Sequence, residues 1–301
     1  MEILMRRNGN TRLVTSGRWR RLVRCGVLLM GWLGVCTGFA APAAVRVVSQ
    51  TVGGDELLLA LAEPGQIAAL SHLAYNPAYS AVAEQAKAYP RITRGDAETI
   101  LKFGPTLVLF ADYSRGELVE QVRRAGVRVL VFEHYKTLDD AYANLRLLGQ
   151  EIGAVQKAEQ LIAGCRARVA ALRTRLHGVQ PVRVIAPSTY GVIPGTDSTF
   201  QDLCDHAGAE NLAATLGGLK GHAVPPAEQM LTWPIDRVVL AGDDAAATLA
   251  VFRELPPYQF MPAVREGRVA MLKPWQISCV SHYRIDGYEQ LARALHPEVF
   301  R

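Results

Sequence analysis

No C-x-x-C, H-E-x-x-H or G-x-S-x-G occurs anywhere in the 301 residues. A paired-cysteine metal or redox motif, a zinc-protease helix and a hydrolase nucleophile elbow are therefore unsupported. G-x-G-x-x-G and G-x-x-x-x-G-K-[ST] are absent too, which removes the two common phosphate-cradling loops. Cysteine is scarce: five in all, two of them (Cys25 and Cys36) in the first 44 residues. The remaining three, Cys165, Cys204 and Cys279, are an odd number, so an exported form can pair two of them, and spacing does not choose which. The net charge of +5 first suggests an acidic partner. Residues 1–44, however, hold seven arginines, no lysine and one acid, which leaves 26 basic and 27 acidic residues in 45–301. The basic excess belongs to the leader, and nucleic-acid binding loses its compositional support.

That leader has an order. An arginine-rich stretch ends in "RWRRLVRC", an apolar run "CGVLLMGWLGVC" follows, and small residues "AAPAA" close it. This is the arrangement of a secretory signal peptide, with cleavage expected after Ala40 or Ala43. The apolar run is short for a membrane span, which needs about 20 residues. "LGVC" resembles a lipoprotein box, with the bulky Val35 where a small residue is expected, so lipid attachment at Cys36 is the lesser alternative.

From Val45 onward, short apolar runs alternate with helical spacing. "VRVVSQ", "IAALS", "TLVLFA" and "VRVLVF" read as strands, separated by helices over Asp55–Ala62, within "YSAVAEQAKA" and "AETILKF", and over "RGELVEQVRRAG". Strands that are apolar throughout and alternate with helices imply parallel sheets covered on both faces. Residues Leu138 to His177 then contain no strand-like run and no proline, and their apolar residues recur at helical spacing. A helix over Ala154–Leu176 would be ~34 Å long. After Pro181 the alternation returns with "VRVIAPS", "RVVLAG" and "RVAML". The expected fold is α/β: two Rossmann-like lobes with parallel sheets, joined by one long rigid helix. The expected boundaries are 1–43 signal peptide, 44–150 first lobe, 151–178 linking helix and 179–301 second lobe. An internal echo supports two related lobes. "AETILKFGPTLVLFAD" (Ala97–Asp112) aligns with "AEQMLTWPIDRVVLAGD" (Ala227–Asp243) in its Ala-Glu, its leucine three residues later, its proline and its strand.

Gly53-Gly54 follows the first strand, where nucleotide folds place a glycine loop. The third glycine is missing, and Asp55 would put an anion at the positive helix end. The pair is read as a tight turn with Asp55 as helix cap. Parallel sheets hold ligands beyond their strand C-termini. Candidate ligand-binding residues in such loops are Thr51, His72 and Tyr75 in the first two, Tyr113 after "TLVLFAD", Tyr190 after "VRVIAPS", and Trp275 and His282 in "KPWQISCVSHYR". His72 and Tyr75 are expected to face Trp275 and His282 across a cleft suited to a flat or metal-bearing ligand.

The opening strand–turn–helix, followed by Asp96, Glu98, Ile100, Phe103, Pro105, Leu107 and Val108, resembles the periplasmic substrate-binding proteins of ABC importers for metal chelates. The pattern departs at Phe103, where that family has Leu, and at Thr106, where it has Asp. "HAGAENLA" (His206–Ala213) and "SHYRIDGYEQLARALHPE" resemble further stretches of the same family, so the likeness spans about Val45 to Arg301. The resemblance implies two lobes on one rigid helix and a soluble, monomeric, periplasmic protein. It implies no catalysis and no resident cofactor: the ligand carries the iron or cobalt, as cobalamin, haem or a siderophore. It also implies docking to ABC permease subunits through one glutamate per lobe, matching Glu98 and Glu228. A rival reading is an exported two-lobe enzyme acting on a metal chelate or tetrapyrrole.

Overall fold

The computed structural model describes residues 45–301. The leader, with its cleavage site, Cys25 and Cys36, lies outside the described residues. Four parallel strands make the first sheet: β1 (Val47–Ser49), β2 (Ile67–Ala69), β3 (Leu107–Ala111) and β4 (Arg128–Phe132), in the order β2-β1-β3-β4. The first three are buried at every residue. Their runs are apolar throughout because helices cover both faces. Those helices are α1 (Val52–Leu61), α2 (Ala83–Ala86), α3 (Ala97–Leu101) and α4 (Gly116–Arg124).

Two longer helices follow. α5 (Leu138–Ile152) starts at a capping box in which Thr137 and Asp140 satisfy each other's backbone amides. It ends at Gly153, whose φ of 76° suits a residue without a Cβ. α6 (Val155–Arg175) has 21 residues, about 31 Å at 1.5 Å each. Ala154 and Leu176, expected inside it, are its caps.

The second sheet contains β5 (Val182–Ile185), β7 (Ala209–Asn211), β9 (Arg237–Ala241) and β10 (Val269–Leu272), again all parallel, in the order β10-β9-β5-β7. Between them lie a small antiparallel pair, β6 (Ile193–Pro194) with β8 (His222–Ala223), and helices α7 (Thr199–Ala207), α8 (Leu212–Thr215), α9 (Ala227–Met230), α10 (Ala245–Glu254) and α11 (Pro262–Arg265). The chain closes with α12 (Arg284–Leu295).

Read from its outer strand, the second sheet is β7-β5-β9-β10 and the first is β2-β1-β3-β4. The two lobes are wound the same way. The sequence echo occupies equivalent places in them, with α3 leading into β3 and α9 into β9.

α6 ties the lobes together. Its Ala158, Ile162, Cys165 and Leu172 share one apolar core with Leu57 and Leu109 of the first lobe and Leu203 and Tyr288 of the second. Arg168 reaches Asp286 at 2.6 Å and Glu289 at 3.0 Å, clamping α6 to α12. The three cysteines are free and buried, so the pairing raised by the sequence does not occur. Among the described residues, no helix is long and apolar enough to cross a membrane.

The reading of the first turn needs correction. Gly53 and Gly54 lie inside α1, and Thr51 is its cap, its Oγ1 accepting from the Gly54 amide at 3.2 Å. Neither glycine needs a left-handed backbone; what they provide is room. A Cβ on Gly53 would come within 2.5 Å of Val280 Cγ2, from the other lobe, and one on Gly54 within 2.7 Å of Ser49 Oγ. Asp55 does not cap the helix. It is fully buried and accepts from the Ser71 amide (3.0 Å) and the Ser71 hydroxyl (2.5 Å).

Candidate functional site

The segments that bring the lobes together follow strands. After β2, the chain runs through a short turn at His72–Tyr75 and on through Asn76–Gln85. After β10, it runs through Lys273, Pro274 and Trp275. These two segments, with Asp243 after β9, wall a groove of about 410 Å³ that takes one side from each lobe. A groove of that size suits a small-molecule ligand. On another side, Lys136 after β4 faces Asp197 at 3.9 Å, and Lys220 reaches the same carboxylate at 3.3 Å. A second groove, of about 420 Å³, lies between α5, α6 and α7.

Beneath the first groove, a buried polar hub joins the lobes. Glu56 of α1 is 2% exposed; one carboxylate oxygen accepts from the Ala81 amide at 2.9 Å and the other from the Ser281 hydroxyl at 2.5 Å. Burial pushes its carboxyl above the usual range. Arg284, also 2% exposed, donates to the carbonyls of Cys279 (2.9 Å) and, across the lobes, Tyr135 (3.2 Å), and lies 3.2 Å from Asp202. Asp202 in turn accepts from the Leu138 amide of the first lobe at 3.2 Å and from the Tyr288 hydroxyl. A hub with this many partners fixes the spacing of the groove walls and resists their separation.

The sequence-predicted residues divide around this frame. Trp275 is half-buried in the groove wall opposite Asn76–Gln85. Tyr113 is 62% exposed after β3, edge-on to Tyr135 with ring centres 5.6 Å apart. Together with Thr51 and Val280 they line a cavity of only about 20 Å³, room for a water and no more. Tyr190, 89% exposed after β5, stands free in its loop. His72 is exposed.

Two placements differ from expectation. Tyr75 turns inward: its hydroxyl donates to the Tyr89 carbonyl at 2.9 Å and the Arg91 guanidinium sits 5.5 Å over its ring. His282 is 6% exposed beside Tyr283, and burial lowers its pKa to about 4. A strand-end position made both residues candidates, but apolar neighbours drew them into the core. The facing quartet therefore reduces to Trp275 against Asn76–Gln85. Sequence reasoning missed Asn76, Gln85, Asp243 and Lys273, and also Tyr135. Asn76, Asp243, Lys273 and Tyr135 lie in loops that follow strands, so the rule that selected Trp275 applies to them as well; Gln85 sits on α2. Nothing in the sequence marked Glu56, which reads as one polar residue of an ordinary helix.

Comparison with known proteins gives a consistent answer. An uncharacterized ABC transporter substrate-binding lipoprotein, YvrC, of Bacillus subtilis is 20% identical over 215 residues, 68% of this chain and 67% of that one. Among solved structures, a periplasmic haem-binding protein, RhuT, of Roseiflexus superposes with a TM-score of 0.71 at 22% identity, covering 85% of this chain and 99% of that one. The periplasmic vitamin B12-binding protein BtuF of Vibrio cholerae gives 0.67 at 18% identity, covering 86% and 98%. At these identities the structures show a shared fold. The profile of the family described as periplasmic binding protein matches residues 47–275, most of the chain. The chain belongs to the periplasmic binding protein family.

Proposed function

We propose that this chain is the exported binding component of an ABC importer, which captures an iron- or cobalt-bearing chelate between its lobes and delivers it to the permease. The carrying observation is the groove itself: two lobes of the same winding present strand-end loops to each other around a space of ligand size. Relatives whose names state haem or vitamin B12 binding support the ligand class. The arginine–apolar–small leader supports export, and the lipoprotein relative keeps Cys36 as the alternative attachment point. The protein works as a carrier without chemistry of its own. The test is titration of the purified protein with haemin and with cyanocobalamin, followed by absorbance. One-to-one binding with the chelate returned unaltered supports the reading; turnover of an added chelate favours the rival enzyme.

Trp275→Ala removes the largest side chain in the groove wall. It should weaken chelate binding by about 1–3 kcal/mol, the usual range for losing a buried large apolar contact. Isothermal titration of both proteins reads this directly, and unchanged affinity would place the ligand elsewhere.

Glu98 and Glu228 start α3 and α9, the equivalent helices of the two lobes. Both are exposed and neither lines the groove, although Glu98 pairs with Lys102 at 2.8 Å. One acid per lobe is a geometry that orients the molecule on a basic membrane partner. Glu98→Lys or Glu228→Lys should reduce permease association and transport while leaving chelate affinity within about twofold. Normal transport with either reversed charge would remove the docking role.

A further inference from the structure

The charges around the groove carry a statement about the ligand. Six acids surround this region: Glu84 on α2, and Asp112, Glu133, Asp197, Asp243 and Asp244 in strand-end loops. Three are occupied. Glu84 pairs with Lys87 at 2.7 Å, Asp197 with Lys220 and Lys136, and Asp244 caps α10 through the Ala246 and Ala247 amides. Asp112, Glu133 and Asp243 have no cation within ion-pair distance among the described residues. Of the cations in the same loops, Arg115 is turned to the Gly95 carbonyl, and Lys136 and Lys220 share one carboxylate. Lys273 alone lines the groove, with Asp243 and Glu84 around the same walls.

A carboxylate-edged ligand is normally gripped by guanidinium forks, whose two parallel donors match two carboxylate oxygens. No arginine lines this groove; its polar lining is instead Asn76, Ser80 and Gln85, with the Trp275 ring beside them. Amides and hydroxyls both donate and accept, which suits a ligand edged with amides or hydroxyls. Asp243, the carboxylate of this lining without an ion-pair partner among the described residues, repels an anion while attracting a cation.

We infer that the groove selects a metal chelate of zero or positive net charge with an amide- or hydroxyl-rich edge, and rejects chelates edged with carboxylates. This rests on the chelate-binding reading above and sharpens it.

The experiment is a set of titrations of the wild-type protein, followed by quenching of tryptophan fluorescence, with cyanocobalamin as the neutral probe, aquocobalamin as the cationic one, and haemin and ferric citrate as the anionic ones. The same titrations are then run on the double variant Glu84→Gln/Asp243→Asn. The expected order is cobalamins at least tenfold tighter than haemin or ferric citrate in low salt, with the gap narrowing as salt screens the loops. In the double variant, haemin affinity should rise relative to that for cyanocobalamin by about 3–10-fold, a range set by two exposed charges. Haemin binding tighter than either cobalamin, or a ratio that does not move in the variant, overturns this inference and leaves the chelate reading standing. Failure of all four probes to bind overturns both.

Discussion

Replacing Arg284 by alanine is expected to cost about 3–5 kcal/mol of unfolding free energy, the range for breaking one partner of a buried ion pair. The side chain is 2% exposed, donates to the Cys279 and Tyr135 carbonyls and lies 3.2 Å from Asp202. Its removal leaves the Asp202 carboxylate buried with only the Leu138 amide and the Tyr288 hydroxyl as donors. Two carbonyls also lose their donor, and a cavity opens beneath the groove. Because the Tyr135 carbonyl and the Leu138 amide belong to the first lobe, the same change should loosen the lobes and weaken chelate binding. Urea unfolding measures the first effect and calorimetric titration the second. Arg284→Met with Asp202→Asn is the control: the asparagine oxygen accepts from the Leu138 amide, its nitrogen donates to the Tyr288 hydroxyl oxygen, and no unpaired charge remains. The double change should therefore cost less than its two parts added, by at least about 1 kcal/mol. A loss below about 1 kcal/mol for Arg284→Ala would mean that Arg284 does not hold the lobes together.

The fold was legible because its signals are local. β-branched runs such as "TLVLFA" and "VRVLVF" became parallel strands, and the strand-free stretch after Leu138 became α5 and α6. β7 was not legible: "AEN" has no strand propensity and is held in place by pairing with β5. The turn after β1 failed for a different reason. A glycine pair reads as backbone freedom, whereas Gly53 and Gly54 are small because Val280 and Ser49 press on them. Val280, which presses on Gly53, is distant in sequence. The same holds for the site. A strand-end rule finds loops that reach the sheet edge, and it puts Trp275 in the groove wall. It cannot tell which side chains in those loops turn outward. Tyr75 and His282 turned inward because core contacts were available to them, and Glu56 became part of the lobe junction only because Ser281 and Ala81 meet it there.

Asp55→Asn should raise stability at neutral pH by about 4 kcal/mol relative to wild type, with almost no gain in acid. Asp55 is fully buried; desolvation raises its carboxyl from an ordinary 3.8 to about 7, against the opposing pull of its Ser71 bonds. The folded protein thus holds a proton here that the unfolded chain has already released. The stabilising effect of that proton is complete below pH 3.8 and is lost as pH rises through about 7. At 1.36 kcal/mol per pH unit, the interval corresponds to about 4 kcal/mol. His282 works in the opposite direction. Burial lowers its pKa from 6.5 to about 4, so its contribution is present above 6.5 and lost as pH falls toward 4. The two oppose each other in the wild type, and the raised Glu56 carboxyl adds to the Asp55 side. The difference between variant and wild type cancels His282 and isolates Asp55. An asparagine keeps the geometry, its oxygen accepting from the Ser71 amide and its nitrogen donating to the Ser71 hydroxyl. Urea unfolding at about pH 4, 5.5 and 7.5 should show the advantage of Asp55→Asn growing steadily with pH. His282→Gln, measured the same way, should expose the opposite trend, with stability falling from pH 4 to 7 as the Asp55 proton is lost. An advantage that stays constant across the three pH values would show that Asp55 is already ionised in the folded protein, and that its hydrogen bonds to Ser71 outweigh its burial.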